Sequence, residues 1–220
     1  LANGRLLPAF GIGSPMGAEW KALGIDTKTR GRKADEALEI IARLWREESV
    51  TYEGRHYRLT EASIAPRPVQ PDLPMWIGGS SEAAIRRTAR YGTGWQAGAE
   101  TPDEAKRVIA AIKTATAEEG RAIDEDHYGV NIPFRLGSAD DPGIRRAMDA
   151  YRQYSGRDPA DYFVVGDAAA IIDRIAAYID AGAYKFVLRP AANGDEDMMA
   201  QTRRLIDEVL PKAAARWPRD

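Results

Sequence analysis

Met75–Gln96 reads MWIGGSSEAAIRRTARYGTGWQ. Its first residues, Met75-Trp76-Ile77, form a short apolar run bounded by Pro74 and Gly78, which suits a parallel strand buried on both faces. Gly78-Gly79-Ser80-Ser81 ends that strand. A helical pattern from about Ser81 to Tyr91 follows and stops at Gly92. Gly94 to Ala97 is then a second short strand. The stretch is therefore one β–α–β step with glycines and serines at its turn. In a parallel α/β fold, function collects just past the carboxyl ends of the strands.

Working outward, the same alternation continues. Leu6 to Ile12 is an apolar run expected to be a buried strand, with Pro8 marking it as an edge. Arg30 to Trp45 has helical spacing, and Val50 to Leu59 reads as a hairpin turning at Glu53-Gly54. Pro66, Pro68, Pro71 and Pro74 make an extended connector. Thr101-Pro102-Asp103-Glu104 is a helix start with an N-cap, a first-turn proline and first-turn acids. Tyr128 to Leu136 is a strand, and a helix covers about Ile144 to Tyr154. Asp167 caps a helix closed by Gly182, Lys185 to Arg189 is a strand, and Asp195 to Ala215 is the last helix. Met198-Met199 reads as packing within it. Strands alternating with helices predict one α/β domain over 1–220 with a parallel sheet, open or barrel-like.

The totals exclude several classes. The 220 residues are 44% hydrophobic and 29% charged, with a net charge of −2. That balance indicates no nucleic-acid or acidic-membrane partner. There are no cysteines, so disulfides, thiolate metal sites and thiol nucleophiles are excluded. No apolar run approaches the roughly 20 residues of a membrane span, and a cytoplasmic location is the default. His56 and His127 are the only histidines. Each reads as structural, and no metal site is expected.

Five strand-end groups then come into question: Gly13 to Gly17, Gly78 to Ser81, Trp95 to Gly98, Leu136 to Ser138 and Arg189 to Asn193. The second makes the best anion site. Its glycines let backbone approach a ligand, its serines offer hydroxyls, and the helix N-terminus directs N–H groups outward. The same tetrapeptide also suits a tight turn with a simple N-cap. Trp95 suits stacking on a planar ligand or packing in the core. Arg189 suits a phosphate or carboxylate, or a surface ion pair. Asp195-Glu196-Asp197 reads as a helix N-terminus and nothing more. No catalytic acid, base or nucleophile stands out, so a bound cofactor is expected to carry the chemistry.

These stretches, in order, resemble the bacterial-luciferase-like family of flavin- or deazaflavin-dependent oxidoreductases. They are NGRLLPAFGIGS (3–14), RGRKADEALEIIARLW (30–45), YEGRHYRL (52–59), PRPVQPDLPMWIGGSSEAAIRRTARYGTGW (66–95) and VVGDAAAIIDRIAAYIDAGAYKFVLRP (164–190). LLPAFGIG and KFVLRP look most like the deazaflavin-using branch. The resemblance implies a TIM-type β/α barrel, present here as strands four to eight and lacking the first three βα units. It implies hydride transfer or monooxygenation of an organic small molecule with coenzyme F420, or alternatively FMN. It places the cofactor phosphate on Gly78, Gly79, Ser80 and Ser81, with Ser81 and Glu82 donating backbone N–H groups. Gly94 and Trp95 would lie beside the cofactor, with Arg189 a further candidate. A homodimer is compatible with this reading. The competing expectations are a non-catalytic barrel fragment that binds cofactor weakly or needs a partner to complete its sheet, and an unrelated α/β phosphate-binding enzyme such as an isomerase.

Overall fold

The structure, a computed structural model, describes residues 3–13, 18–70 and 72–218. In chain order the elements are β1 (Ala9–Phe10), α1 (Ala18–Ala22), α2 (Arg30–Arg46), β2 (Val50–Glu53), β3 (Arg58–Ala62), β4 (Trp76–Gly78), α3 (Glu82–Tyr91), β5 (Gly94–Gln96) and α4 (Pro102–Glu118). There follow β6 (Tyr128–Leu136), α5 (Pro142–Ser155), β7 (Val164–Gly166), α6 (Ala168–Asp180), β8 (Lys185–Pro190), α7 (Asp195–Arg204) and α8 (Leu210–Arg216). Two compact units result: Leu1–Gln96 with Ala111–Asp124, and Ala97–Ala110 with Glu125–Asp220.

In the first unit, β4 pairs in parallel with β1 on one side and β5 on the other. Ile77 lies opposite Trp95, and Gly78 opposite Gln96. Met75 and Ile77 are buried with Leu38, and Phe10, Ile41, Ala42, Trp45 and Tyr91 pack against them. Alternation along a strand therefore sends Met75 and Ile77 toward α2 and α3, and Trp76 and Gly78 to the other face. Arg87 ties the two helices together. Its Nε donates to Asp35 at 2.5 Å and its Nη2 to the Gly31 carbonyl at 3.0 Å. α3 ends at Gly92, which turns to extended backbone (φ −72, ψ 143) while its N–H still bonds to the Thr88 carbonyl; only glycine fits, because a Cβ there would lie 2.8 Å from that oxygen. Arg121 then donates to the Ala89 and Gly92 carbonyls, covering the last turn of the helix.

The β2–β3 hairpin forms where the sequence predicts it. Glu36 on α2 holds its turn, accepting from the backbone N–H groups of Arg55, His56 and Tyr57 at 2.9–3.1 Å.

In the second unit, β6 pairs in parallel with β7 and β8. Tyr128, Val130, Ile132, Phe134 and Leu136 of β6 are all buried, as are Ile171, Ile172, Ile175 and Tyr178 of α6. The start of α4 is a capping box: Thr101 N donates to Glu104 at 2.8 Å, and Glu104 N donates to Thr101 Oγ1 at 3.3 Å.

Three expectations are corrected. The run from Leu6 to Ile12 contributes only Ala9–Phe10 to the ladder, and Leu6 and Leu7 are 56% and 55% exposed. Pro8 cannot donate to a ladder and Gly13 adopts φ +69, so regular strand geometry is confined between them. The last helix is interrupted by a π-turn over Leu205–Val209. Pro211 lacks the N–H that would bond back to residue 207, and the chain relieves the clash with a wider turn. Met198 and Met199 are 46% and 51% exposed, because α7 turns Gln201 inward in their place. β7 and α1 were not anticipated. Of the strand-end group Gly13 to Gly17, residues 14–17 lie outside the described residues.

Candidate active site

The turn after β4 is held from three directions. Gly79 sits at φ +103, a backbone region that L side chains rarely adopt, and a Cβ there would approach the Ala84 Cβ to 3.2 Å. The Gly79 carbonyl accepts the Trp95 Nε1–H at 2.8 Å. Ser81 is the N-cap of α3, and its Oγ accepts from the Ala84 N–H at 3.3 Å. The first N–H groups of a helix have no intrahelical acceptor. With that of Ala84 taken by Ser81, those of Glu82 and Ala83 point past the helix end. Ser80, Ser81 and Glu82 are exposed.

This arrangement fits an anion. The bare Cα atoms of Gly78 and Gly79, two outward N–H groups, two exposed hydroxyl-bearing residues and the positive end of the α3 dipole converge on one place. The Glu82 carboxylate opposes an anion, and its nearest basic partner is Arg86 at 3.7 Å.

Gly94 is buried at the start of β5, opposite Trp76. Trp95 is fully buried on the same side of the sheet as Ile77, so its indole packs and anchors the turn. Gly78, Gly79, Ser80, Ser81, Glu82, Gly94 and Trp95 thus all lie in the first unit. Arg189 belongs to the second, in β8. It is exposed and donates to the Tyr162 hydroxyl at 2.6 Å. Tyr162 in turn stacks on Tyr151, with ring centroids 4.9 Å apart.

The second unit holds a cluster that the sequence does not reveal. Arg135, 8% exposed at the end of β6, donates to Asp141 and Asp197, each at 2.5 Å. The Arg135 hydrogen bond, followed by the Asn193 N–H, holds the Asp197 carboxyl below the usual range. Gln201 exchanges two hydrogen bonds with the backbone of Leu136, and Arg204 donates to the Leu136 carbonyl at 2.6 Å. Asp197, read from sequence as part of a helix terminus, and Arg204 fasten α7 to β6. The one hint in the sequence is an arginine at the end of a largely apolar strand.

Parallel strands followed by a glycine–serine turn at a helix N-terminus place the chain in the broad class of α/β proteins built to receive an anionic group at a strand end. The chain belongs to the luciferase-like monooxygenase family, whose profile it matches over residues 1–185. The fold is accordingly that of the TIM-type β/α-barrel enzymes. An uncharacterized protein of Mycobacterium tuberculosis is 35% identical over 151 residues, covering 65% of this chain and 51% of that protein. The chain thus spans about half the length of the mycobacterial relatives it matches. An F420-dependent glucose-6-phosphate dehydrogenase of Microbacterium testaceum is 26% identical over 97% of this chain and 70% of its own length. A solved F420-dependent secondary alcohol dehydrogenase superposes with a TM-score of 0.76 at 20% identity, over 99% of this chain and 71% of its own. Members of the family include F420- and flavin-dependent oxidoreductases and monooxygenases. Among the described residues no helix is long and apolar enough to cross a membrane.

Proposed function

We propose that this chain is an oxidoreductase that binds coenzyme F420 through its phosphate at Gly78–Glu82 and acts on a small organic molecule. FMN is the second cofactor reading. The carrying observation is the turn: Gly79 at φ +103, anchored by Trp95, in front of an exposed α3 N-terminus. Similarity to the F420-dependent dehydrogenase over 97% of this chain favours the deazaflavin. The bound group would supply hydride transfer or oxygen chemistry. The protein's part is to hold the phosphate with the Ser81, Glu82 and Ala83 N–H groups and the Ser80 and Ser81 hydroxyls, and to keep the turn rigid through Trp95. Arg189, beside Tyr162, is a further contact for an anionic group. A cytoplasmic single-domain enzyme, alone or as a homodimer, completes this reading. A second reading is a chain that binds cofactor weakly without turnover.

The test is titration of the purified chain with F420 and FMN, each against its phosphate-free counterpart, followed by fluorescence. Aspartate is as good an N-cap as serine, so Ser81→Asp keeps α3 while placing a carboxylate where the phosphate binds. Like charges about 4 Å apart cost about 1 kcal/mol per pair in water. The variant should therefore lose roughly fivefold in affinity for F420, whose phosphodiester carries one charge, and roughly thirtyfold for FMN, whose phosphomonoester carries nearly two, with no loss for either phosphate-free compound. Equal binding of both compounds by the wild type would remove the phosphate from this turn. Binding without turnover of any alcohol or sugar phosphate would favour the second reading.

A further inference from the structure

β5 ends in Gln96, which no part of the reading above uses. Trp95 faces the helices beside Ile77, so strand alternation turns Gln96 to the opposite face, with Gly78 and Trp76. Gln96 pairs directly with Gly78, and a Cβ built on Gly78 would lie 3.5 Å from the Gln96 carbonyl oxygen. Gly78 has no side chain to fill the space next to it. Gln96 therefore lies opposite bare backbone at Gly78, the first residue of the phosphate turn, on the sheet face that it shares with Trp76. Its Nε2 is buried and has no hydrogen-bond partner.

A buried amide without an acceptor is destabilising, and most such groups in folded proteins are paired. A strand in this position would be more stable with an apolar residue. A donor kept at the carboxyl end of a strand, in the place where this fold assembles its sites, is explained by an acceptor that arrives with a ligand. We propose that Gln96 donates to a carbonyl oxygen of the cofactor's planar ring. β4, its turn and β5 then hold both ends of one molecule: the phosphate at Ser81–Glu82 and the ring at Gln96. This rests on the phosphate reading for the identity of the ligand, and the experiment separates the two.

FMN and riboflavin serve as probes, with F420 and its phosphate-free deazaflavin as the second pair. Gln96→Leu removes the donor. Gln96→Glu keeps the shape but carries an ionised acceptor in place of the donor. Without ligand, Gln96→Leu should raise the urea midpoint, because it removes a buried unpaired donor. With ligand, both variants should weaken FMN and riboflavin by the same factor, roughly tenfold for one lost buried hydrogen bond. They should also shift the absorption maximum of the bound ring. Ser81→Asp should weaken FMN alone. Gln96→Leu with a lowered midpoint and wild-type affinities would show that the amide has a structural partner, and would overturn the proposal. If the wild type binds FMN and riboflavin equally while Gln96→Leu weakens both, the ring contact stands and the phosphate reading falls. A folded wild-type chain that binds none of the four compounds overturns both.

Discussion

Gly78 and Gly79 are adjacent and chemically identical, yet the structure predicts opposite consequences for replacing them with alanine. At Gly79 an added Cβ meets two penalties. The backbone at φ +103 is costly for an L residue, by about 1–2 kcal/mol. The 3.2 Å approach to the Ala84 Cβ also forces the first turn of α3 to give way. Against this, alanine restricts the unfolded chain and returns about 0.4–1 kcal/mol. The net expectation for Gly79→Ala is a loss of about 1–2 kcal/mol. At Gly78 the added Cβ makes ordinary contacts of 3.5 Å and 3.8 Å with the Gln96 and Phe10 carbonyl oxygens, and no positive φ is involved. Only the unfolded-state effect remains, so Gly78→Ala should be neutral or stabilising by up to about 1 kcal/mol. Its methyl nevertheless projects onto the face shared with Gln96, so it should weaken cofactor binding while leaving the fold intact. Urea denaturation separates the two. With an m value of about 2 kcal/mol/M, Gly79→Ala should move the midpoint down by roughly 0.5–1 M, and Gly78→Ala should leave it in place or raise it. A Gly79→Ala chain as stable as the wild type would refute the account of the turn. So would a larger loss at Gly78 than at Gly79.

Two further outcomes follow from the electrostatics. Asp197→Ala removes a charged partner from buried Arg135, which keeps Asp141; a loss of about 1–3 kcal/mol is expected, read as a lower urea midpoint. Because the folded-state pKa of Asp197 is depressed, its contribution is present above about pH 4 and lost as pH falls through the folded value. The loss on Asp197→Ala should therefore shrink in acid. Burial pushes the Glu36 carboxyl up, but the N–H groups of His56, Tyr57 and Arg55 pull it down further, to a net value below normal. The hairpin should accordingly be protected from amide hydrogen exchange at neutral pH and lose protection below about pH 4. Glu36→Gln should flatten that pH dependence, and unchanged pH dependence in the variant would locate the titrating group elsewhere.

Most of the fold was legible because its signals are local. The capping box at Thr101–Glu104, the N-caps Ser81 and Asp167, and Gly92 closing α3 each act within a few residues. Leu6 to Ile12 misled because apolar composition does not report pairing. A proline and a positive-φ glycine limit that run to two ladder residues. The Arg135–Asp141–Asp197 cluster was invisible because its members are separated by 6 and 62 positions and meet only when β6 and α7 are in place. The turn itself was legible as a shape, since glycines and serines between a strand and a helix signal a tight turn with an N-cap. The part played by Trp95 was not, because a single-residue change of face decides whether an indole meets a ligand or the back of the turn.

That alternation also separates the two ends of the proposed cofactor site. A glycine–serine turn at a helix N-terminus recognises a phosphate through backbone N–H groups, which are the same whatever ring the phosphate is attached to. It therefore cannot choose between FMN and a deazaflavin, and it says nothing of the substrate. Structures alike at 20% identity share a fold, and fold does not fix function. Discrimination must come from side chains on the face away from α2 and α3, where β4 presents Gly78 and β5 presents Gln96. A polar side chain there, one residue from a fully apolar packing position, can be exchanged without disturbing the helix-facing core. Substitutions at Gln96 should consequently change the ratio of F420 to FMN affinity, whereas Ser81→Ala, which adds no charge, should lower both together. A Ser81→Ala chain that altered the ratio as strongly as a Gln96 variant would mean that the turn reads more of the cofactor than its phosphate.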